Sequence, residues 1–278
     1  MKIASILAAA ALLPPGSAHA PTAPMVMAAL GDSISSGFNA CGWYVSCASR
    51  SWSTGDDAGV NSHYLRLRAL VPGIGGHNVN LAVPGSTSAD LPGQARAAVE
   101  KGAGYVTVLI GAQDACVGSE SEMTPVAVFE RRVREALAVL RPTGARVFVG
   151  SIPDLRRLWS VGRTSTLART FWTVGHICPS MLADPDSSAR KDRLRRDRVR
   201  AQVIAYNDAL EKACLAYGPA CRYDGGAVFS FPYTLRHVSA WDYFHPSGEG
   251  QRALAEVTFE AAFPAGAAAL VPSGAGAA

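Results

Sequence analysis

The sequence lacks the patterns that mark metal sites, nucleotide sites and membrane spans. It has no Cys-x-x-Cys pair and no paired histidines, so a zinc site is not indicated. The glycine cluster Gly73–Gly76 precedes a predicted strand instead of following one, which excludes a nucleotide-binding loop. Beyond the amino terminus, no uninterrupted apolar stretch approaches the roughly 20 residues of a membrane span. We therefore expect neither a metal site nor a transmembrane segment.

Positive charge is concentrated in one segment of the chain. Arg190–Arg200 holds seven basic and two acidic side chains, whereas the whole chain has a formal charge of only +4. The rest of the chain is therefore not basic, which argues against a nucleic-acid partner. Two interpretations of the segment stay open. It is either a solvated helix end or a patch that contacts anionic lipid or polymer surfaces.

The amino terminus has the pattern of a secretory signal peptide. Lys2 supplies the positive charge, Ile3–Leu13 is apolar, and Ser17–Ala20 provides an Ala-x-Ala cleavage site. The apolar stretch is too short to span a membrane. We predict cleavage after Ala20 and a secreted, extracellular protein.

The remaining chain has the length and composition of one α/β domain. Residues 1–20 are the predicted signal peptide, 21–263 a single domain, and 264–278 a disordered tail rich in alanine, glycine and proline. A hydrophobic content of 49% is sufficient for a sizeable core. We expect a monomer.

Export makes the six cysteines candidates for disulfide bonds, because these bonds persist in oxidising compartments. Six cysteines allow 15 pairings. Cys41 and Cys47 flank one short loop, and Cys214 and Cys221 flank another. Cys116 and Cys178 are then left to pair with each other. The spacing thus favours Cys41–Cys47, Cys214–Cys221 and Cys116–Cys178. Free buried thiols are the alternative.

Strand and helix patterns alternate along the chain, which predicts a mostly parallel sheet. The predicted strands are Val26–Leu30, Asn78–Val83, Tyr105–Ile110, Arg146–Ser151 and a short one near Arg222–Asp224. The predicted helices are Ser62–Leu70, Ala89–Lys101, Pro125–Leu140, Arg193–Tyr217 and Ser247–Phe263.

Details within these elements are also predicted. Thr124 is expected to cap the third helix, with Pro125 at its first position. Helical spacing places six residues on the inner face of the fourth helix: Val199, Val203, Tyr206, Leu210, Cys214 and Tyr217.

After the fourth strand comes a stretch with no regular pattern. We expect this stretch either to line an acyl or head-group pocket or to pack in the core. It contains Arg156, Arg157, Trp159 and Trp172.

Two motifs near opposite ends of the chain indicate a catalytic site with a serine nucleophile. Gly31-Asp-Ser33 follows the first predicted strand, and Asp242-Tyr-Phe-His245 precedes the last helix. A serine becomes a good nucleophile when a histidine takes its proton and a carboxylate orients that histidine. The alternative for each motif is ordinary turn or helix-start chemistry.

Four blocks of sequence in order resemble the GDSL, or SGNH, hydrolase family. They are Gly31–Gly37, Asn80–Ser88, Val108–Asp114 and Asp242–Gly250. The resemblance implies a three-layer α/β/α sandwich with a mostly parallel, flavodoxin-like sheet. It also implies a triad of Ser33, Asp242 and His245, and oxyanion donors from Ser33, Gly85 and Gln113. The cysteine-bearing third block is similar to the phospholipase-B-like and actinobacterial branches.

One position departs from the family pattern, because Gln113 stands where the family has asparagine. Glutamine keeps the amide donor but moves its nitrogen by about 1.5 Å, one carbon–carbon bond. Loss of one oxyanion donor elsewhere slows turnover by roughly 10²–10³-fold. Either the loop has adjusted to glutamine, or the enzyme is weakened.

The resemblance implies a serine esterase or lipase that hydrolyses carboxylic esters of small molecules or lipids through an acyl-enzyme, and the signal-peptide pattern predicts that this enzyme is secreted. Such an enzyme needs no metal and no organic cofactor. Two alternatives remain: a carbohydrate O-deacetylase, and a ligand-binding protein on a disabled hydrolase scaffold. An intact set of Ser33, Asp242 and His245 argues against the second alternative.

Overall fold

The computed structural model describes residues 25–264, so the predicted signal peptide at 1–20 and nearly all of the predicted tail at 264–278 lie outside it. A five-stranded sheet forms the centre, in the order β2-β1-β3-β4-β5, with every neighbouring pair parallel. The strands are β1 Val26–Gly31, β2 Asn78–Asn80, β3 Ala103–Leu109, β4 Arg146–Val149 and β5 Cys221–Tyr223. This order confirms the flavodoxin-like prediction.

Helices cover both faces of the sheet, as in an α/β/α sandwich. They are α1 His63–Leu70, α2 Leu91–Glu100, α3 Ala112–Ala115, α4 Val126–Leu140, α5 Leu155–Gly162, α6 Thr166–Val174, α7 Pro179–Leu182, α8 Arg190–Tyr217, α9 Ala227–Ser230 and α10 Gly248–Ala262. On one face α2 packs on α4 and α4 on α8. On the other face His63 of α1 bonds Thr258 of α10 at 2.8 Å. No helix of residues 25–264 is long and apolar enough to cross a membrane.

The central strands are apolar on both sides because helices cover both faces. Five of the six residues of β1 are buried, and so are six of the seven in β3. The strand predicted at Asn78–Val83 is regular only to Asn80. Beyond it, the amides of Leu81 and Val83 still donate to β1 carbonyls at 2.9 and 3.2 Å. This pairing brings the segment after β2 to the carboxyl edge of the sheet.

The predicted inner face of the long helix is confirmed, since all six of its residues are buried in α8. The predicted start of α4 is wrong by one residue. Pro125 precedes the helix, and no side chain caps it. The Thr124 carbonyl instead accepts hydrogen bonds from Gln202, at 3.0 Å, and from Tyr206. Thr124 therefore ties α4 to α8.

The stretch after β4 that was predicted to be irregular contains the three helices α5, α6 and α7. Each has nine residues or fewer, too short for the apolar spacing to be distinctive. The sequence feature that could have predicted α5 and α6 is the capping residue before each helix. Asp154 accepts from the Arg156 amide at 2.9 Å, and Ser165 accepts from the Ala168 amide at 3.3 Å.

The cysteines are joined in the three pairs that the spacing favours: Cys41–Cys47, Cys116–Cys178 and Cys214–Cys221. Residues 25–264 contain no free cysteine. The pair Cys116–Cys178 links the segment after α3 to the start of α7 and closes a loop of 62 residues, against six and seven for the others.

Loop length predicts which disulfide contributes most to stability. Replacing Cys116 and Cys178 together by alanine should lower the free energy of unfolding by about 4 kcal/mol, and replacing Cys214 and Cys221 by about 2, because longer loops restrict the unfolded chain more. Urea unfolding of both double variants beside the unchanged protein measures the difference. Equal losses would show that the native-state contacts around each bond decide its contribution.

Candidate active site

Ser33 lies two residues beyond β1, at the start of a tight series of turns. The Phe38 amide donates to the Ser33 carbonyl at 2.9 Å, and the Ile34 amide donates to the Asp32 carboxylate at 2.9 Å. Gly31 has a φ of +143°, and a Cβ there would lie 2.1 Å from the Leu109 carbonyl oxygen. Only glycine fits, so this approach of β1 to β3 fixes where Ser33 emerges.

The two distant motifs meet at the carboxyl edge of the sheet. His245 Nε2 lies 2.9 Å from Ser33 Oγ, although the residues are 212 positions apart. On the other side of the ring, His245 Nδ1 lies 2.6 Å from Asp242 Oδ2. This relay can pass a proton from the hydroxyl to the imidazole and stabilise the resulting imidazolium.

Asp242 is buried and almost fully hydrogen-bonded. Its Oδ1 accepts from the amides of Phe244 and His245 at 2.9 and 3.0 Å, and its Oδ2 accepts from Asn39 Nδ2 at 2.5 Å. Burial raises the pKa of Asp242, but the hydrogen bond and charge of His245 and the two amides outweigh it and hold the pKa below its usual range. The carboxylate is therefore kept ionised beside the imidazole.

Asn39 was missed by the sequence analysis. It has a left-handed backbone (φ 60°), and its Oδ1 accepts from the Tyr44 amide at 2.8 Å while its Nδ2 holds Asp242. Asparagine tolerates this conformation better than most residues. The only signal was an asparagine in a short turn after the nucleophile motif, which does not by itself indicate a partner so far along the chain.

The three residues expected to hold an oxyanion, Ser33, Gly85 and Gln113, line one open cavity together with His245. Gly85 has a left-handed φ of +84°. Within residues 25–264, the amides of Ser33 and Gly85 donate no hydrogen bond to the protein. The Gln113 amide nitrogen donates to the Cys116 carbonyl at 3.4 Å, a long and weak bond. The two backbone donors are thus free, whereas the side-chain donor is turned towards its own helix end.

Buried polar side chains fix these loops relative to one another. The Asp114 carboxylate accepts from the amide and the hydroxyl of Ser88 at 2.8 and 2.6 Å, which joins the segment after β3 to the segment after β2. Gln94 bonds both the amide and the carbonyl of Gly31, at 2.7 and 2.9 Å. Ser88 and Gln94 had no predicted role, because their partners are distant in sequence.

The carboxyl group of Asp32, beside the nucleophile, has an unusually high pKa. Burial raises the pKa of Asp32 to about 7, against the opposing effects of the Ile34 amide and of His245. Its Oδ2 is buried and has no hydrogen-bond partner within the described residues. Asp32 therefore titrates near neutral pH, whereas Asp242 stays ionised.

A second, more enclosed cavity continues from Ser33 and His245 into the protein. Its walls come from α5, from the segment before Asp242–His245, which we call the catalytic loop, and from α10, and most of the lining is apolar. The apolar lining residues include Ile34, Leu155, Leu158, Val161, Val238 and Leu254. Ser33 thus lies where an open cleft meets an apolar cavity.

The segment that was predicted to line a pocket does so, but with other residues. Leu155, Leu158 and Val161 of α5 face the cavity. Trp159 lies elsewhere, with the Arg196 guanidinium 4.3 Å from its ring centre. Trp172 is buried, and its indole N–H donates to the Tyr243 carbonyl at 2.9 Å. It therefore supports the catalytic loop from beneath.

Most of the predicted basic patch is engaged within the protein. Arg195 and Arg196 donate to backbone carbonyls between Pro179 and Ser187. Arg198 forms two 2.6 Å bonds with Glu120, and Arg200 one of 2.9 Å with Asp154. These contacts favour a structural role for the charge. Within residues 25–264, no group of three His, Cys, Asp or Glu side chains is arranged to hold a metal.

The GDSL-like lipase/acylhydrolase family model matches residues 27–258. No curated protein matches the chain. Many solved structures are similar to it, among them the following three. An alpha/beta hydrolase enzyme from the metagenome of Lake Arreo, Spain, shares 17% identity at a TM-score of 0.54, covering 86% of this chain and 95% of that one.

The second is a catalytic mutant of an acetylxylan esterase from Geobacillus stearothermophilus, with 15% identity, a TM-score of 0.53 and coverage of 85% and 93%. The third is a GDSL-like lipase from Bacteroides thetaiotaomicron, with 11% identity, a TM-score of 0.50 and coverage of 87% and 88%. At such low identities the similarity shows the fold alone.

Proposed function

This chain belongs to the GDSL-like lipase/acylhydrolase family, and we propose that it is an exported serine esterase or lipase with Ser33 as nucleophile. The observation that carries the proposal is the relay from Ser33 through His245 to the ionised Asp242, at 2.9 and 2.6 Å. A ligand-binding protein on a disabled scaffold would have no use for this relay.

In the proposed reaction, Ser33 Oγ attacks the ester carbonyl carbon while His245 Nε2 takes the hydroxyl proton. Asp242 stabilises the imidazolium, and the free amides of Ser33 and Gly85 donate to the oxyanion. The intermediate collapses to an acyl-enzyme as the leaving alcohol takes the proton from His245. Water, deprotonated by His245, then attacks the acyl-enzyme and releases the acid and the free hydroxyl of Ser33.

The cavity beside Ser33 supports an acyl group longer than acetate. Leu155, Leu158 and Val161 give this cavity an apolar wall that the methylene groups of a longer acyl chain would contact. Burying methylene groups there contributes about 0.8 kcal/mol each. The open cleft on the other side of Ser33 would hold the alcohol. These features favour an esterase or lipase over a carbohydrate O-deacetylase.

Acyl-length profiling tests this assignment. With nitrophenyl esters, butyrate and longer chains should be hydrolysed faster than acetate, and Ser33→Ala should abolish hydrolysis. Leu158→Trp should fill the cavity and lower kcat/KM for the longer esters by about tenfold or more, while acetate hydrolysis changes little. Leu70→Trp, at an exposed site on α1, is the matched control. Activity that is restricted to acetate would favour the O-deacetylase.

Gln113 allows a test of the oxyanion site. Gln113→Asn should raise kcat by about tenfold, roughly 1.4 kcal/mol of barrier, because a shorter amide can leave Cys116 and donate to the oxyanion. KM should change little, since the charge forms only in the transition state. Steady-state kinetics on one ester measures both constants. Equal or lower kcat in the Asn variant would mean that the loop is adapted to glutamine.

Export is supported by the predicted signal peptide and by the pairing of all cysteines of residues 25–264 in disulfides. Expression of the full chain in a secreting bacterial host should release a protein that begins at Pro21. Amino-terminal sequencing of the protein in the medium measures this. Retention in the cytoplasm with an intact Met1 would contradict export.

A further inference from the structure

Exposed aromatic side chains stand beside the catalytic loop. The short disulfide loop between Cys41 and Cys47 presents Trp43, which is 73% exposed, together with Tyr44 and Val45. The Trp43 ring packs 4.7 Å from Trp241, the residue before Asp242, and the Tyr44 hydroxyl donates to the Trp241 carbonyl. We call Trp43, Tyr44, Val45 and Trp241 the aromatic group.

The backbone of this loop holds the rings outward at a conformational cost. Trp43 and Tyr44 both have left-handed φ values, +64° and +52°, which bulky residues rarely adopt. The Asn39 side chain accepts from the Tyr44 amide at 2.8 Å, and the Asn39 amide donates to the Val45 carbonyl at 3.0 Å. The same asparagine that holds Asp242 therefore also holds the loop.

A second apolar surface lies against the other side of the catalytic loop. Leu167, Phe171 and Val174 are spaced four and three residues apart, so they share one face of α6. Leu167 is 59% and Val174 75% exposed. Phe171 lies 5.6 Å from the ring of Tyr243 in the catalytic loop. We call these three residues the α6 stripe.

Both surfaces adjoin, along the chain, residues that line the open cleft with Ser33. Phe38, which lines the cleft, immediately precedes the residue that holds the disulfide loop. On the other side, His176 and Ile177 line the cleft just after the end of α6. Whatever covers the aromatic group and the α6 stripe would therefore meet the entrance to the nucleophile.

We infer that the aromatic group and the α6 stripe form an interfacial surface that seats the enzyme on an aggregate of uncharged or zwitterionic ester lipid. The inference rests on the proposed function, because the aggregate would supply acyl chains to the cavity beside Ser33. Tryptophan and tyrosine suit the boundary between apolar chains and water. The seven residues named are all uncharged, so their own contact with the lipid would be apolar rather than ionic.

Vesicle binding tests the inference independently of hydrolysis. The Ser33→Ala protein, which leaves the lipid intact, is sedimented with phosphatidylcholine vesicles, and its partition coefficient is measured. Adding Trp43→Asn and Leu167→Gln should lower the coefficient by about tenfold or more, since large apolar side chains are lost from the contact. Asparagine tolerates the left-handed backbone at position 43, and glutamine suits a helix.

Leu215→Gln is the matched control, because Leu215 is also 73% exposed but lies near the end of α8. It should bind vesicles as the parent does. With Ser33 present, the Trp43→Asn and Leu167→Gln protein should hydrolyse monomeric nitrophenyl butyrate at the parent rate. Circular dichroism of each variant should match the parent.

Unchanged binding in the double variant would overturn the inference, and so would an equal loss in the control or a dimer that the double variant dissociates in sedimentation velocity. The last result would identify a second copy of the chain as the occupant. Vesicle binding without hydrolysis of any ester would instead contradict the proposed function and leave the surface standing. Hydrolysis of soluble esters without vesicle binding would contradict the interfacial surface and leave the proposed function standing.

Discussion

The hydrogen bonds of the buried Asp242 carboxylate are the interaction on which the rest of the site depends. They fix the catalytic loop through its own amides and hold the His245 ring at 2.6 Å. The ring can then meet Ser33 only because β1 delivers the serine to the same edge of the sheet. Asn39 adds a bond from the segment just after the nucleophile, so the two ends of the chain are joined at the carboxylate itself.

Hydrogen bonds also connect the catalytic triad to the structural elements around it. Asn39 holds the disulfide loop as well as Asp242, and Trp172 of α6 supports the catalytic loop from beneath. The triad is therefore linked both to two exposed apolar surfaces and to an apolar cavity walled by α5. The relay thus lies beside both the cavity that we propose for an acyl chain and the surface that we propose for a lipid aggregate.

The sequence predicted the parts that depend on local patterns. Apolar runs located the strands, helical spacing located the inner face of α8, and the family motifs identified Ser33, Asp242 and His245 as one candidate triad. It missed contacts between distant residues, such as Asn39 with Asp242 and Ser88 with Asp114, since no local pattern encodes them. It also missed α5 and α6, whose short lengths hide their spacing, and hence the cavity wall and the exposed stripe.

Covalent trapping of the nucleophile tests the central claim most directly. A fluorophosphonate reacts with a serine only when a base activates it, and peptide mass spectrometry then locates the label. A single label on Ser33 is expected, and His245→Ala should slow labelling by roughly a thousandfold or more, because nucleophile and base act as a unit. A label on another serine, or an unchanged rate without His245, would contradict the relay as the source of activity.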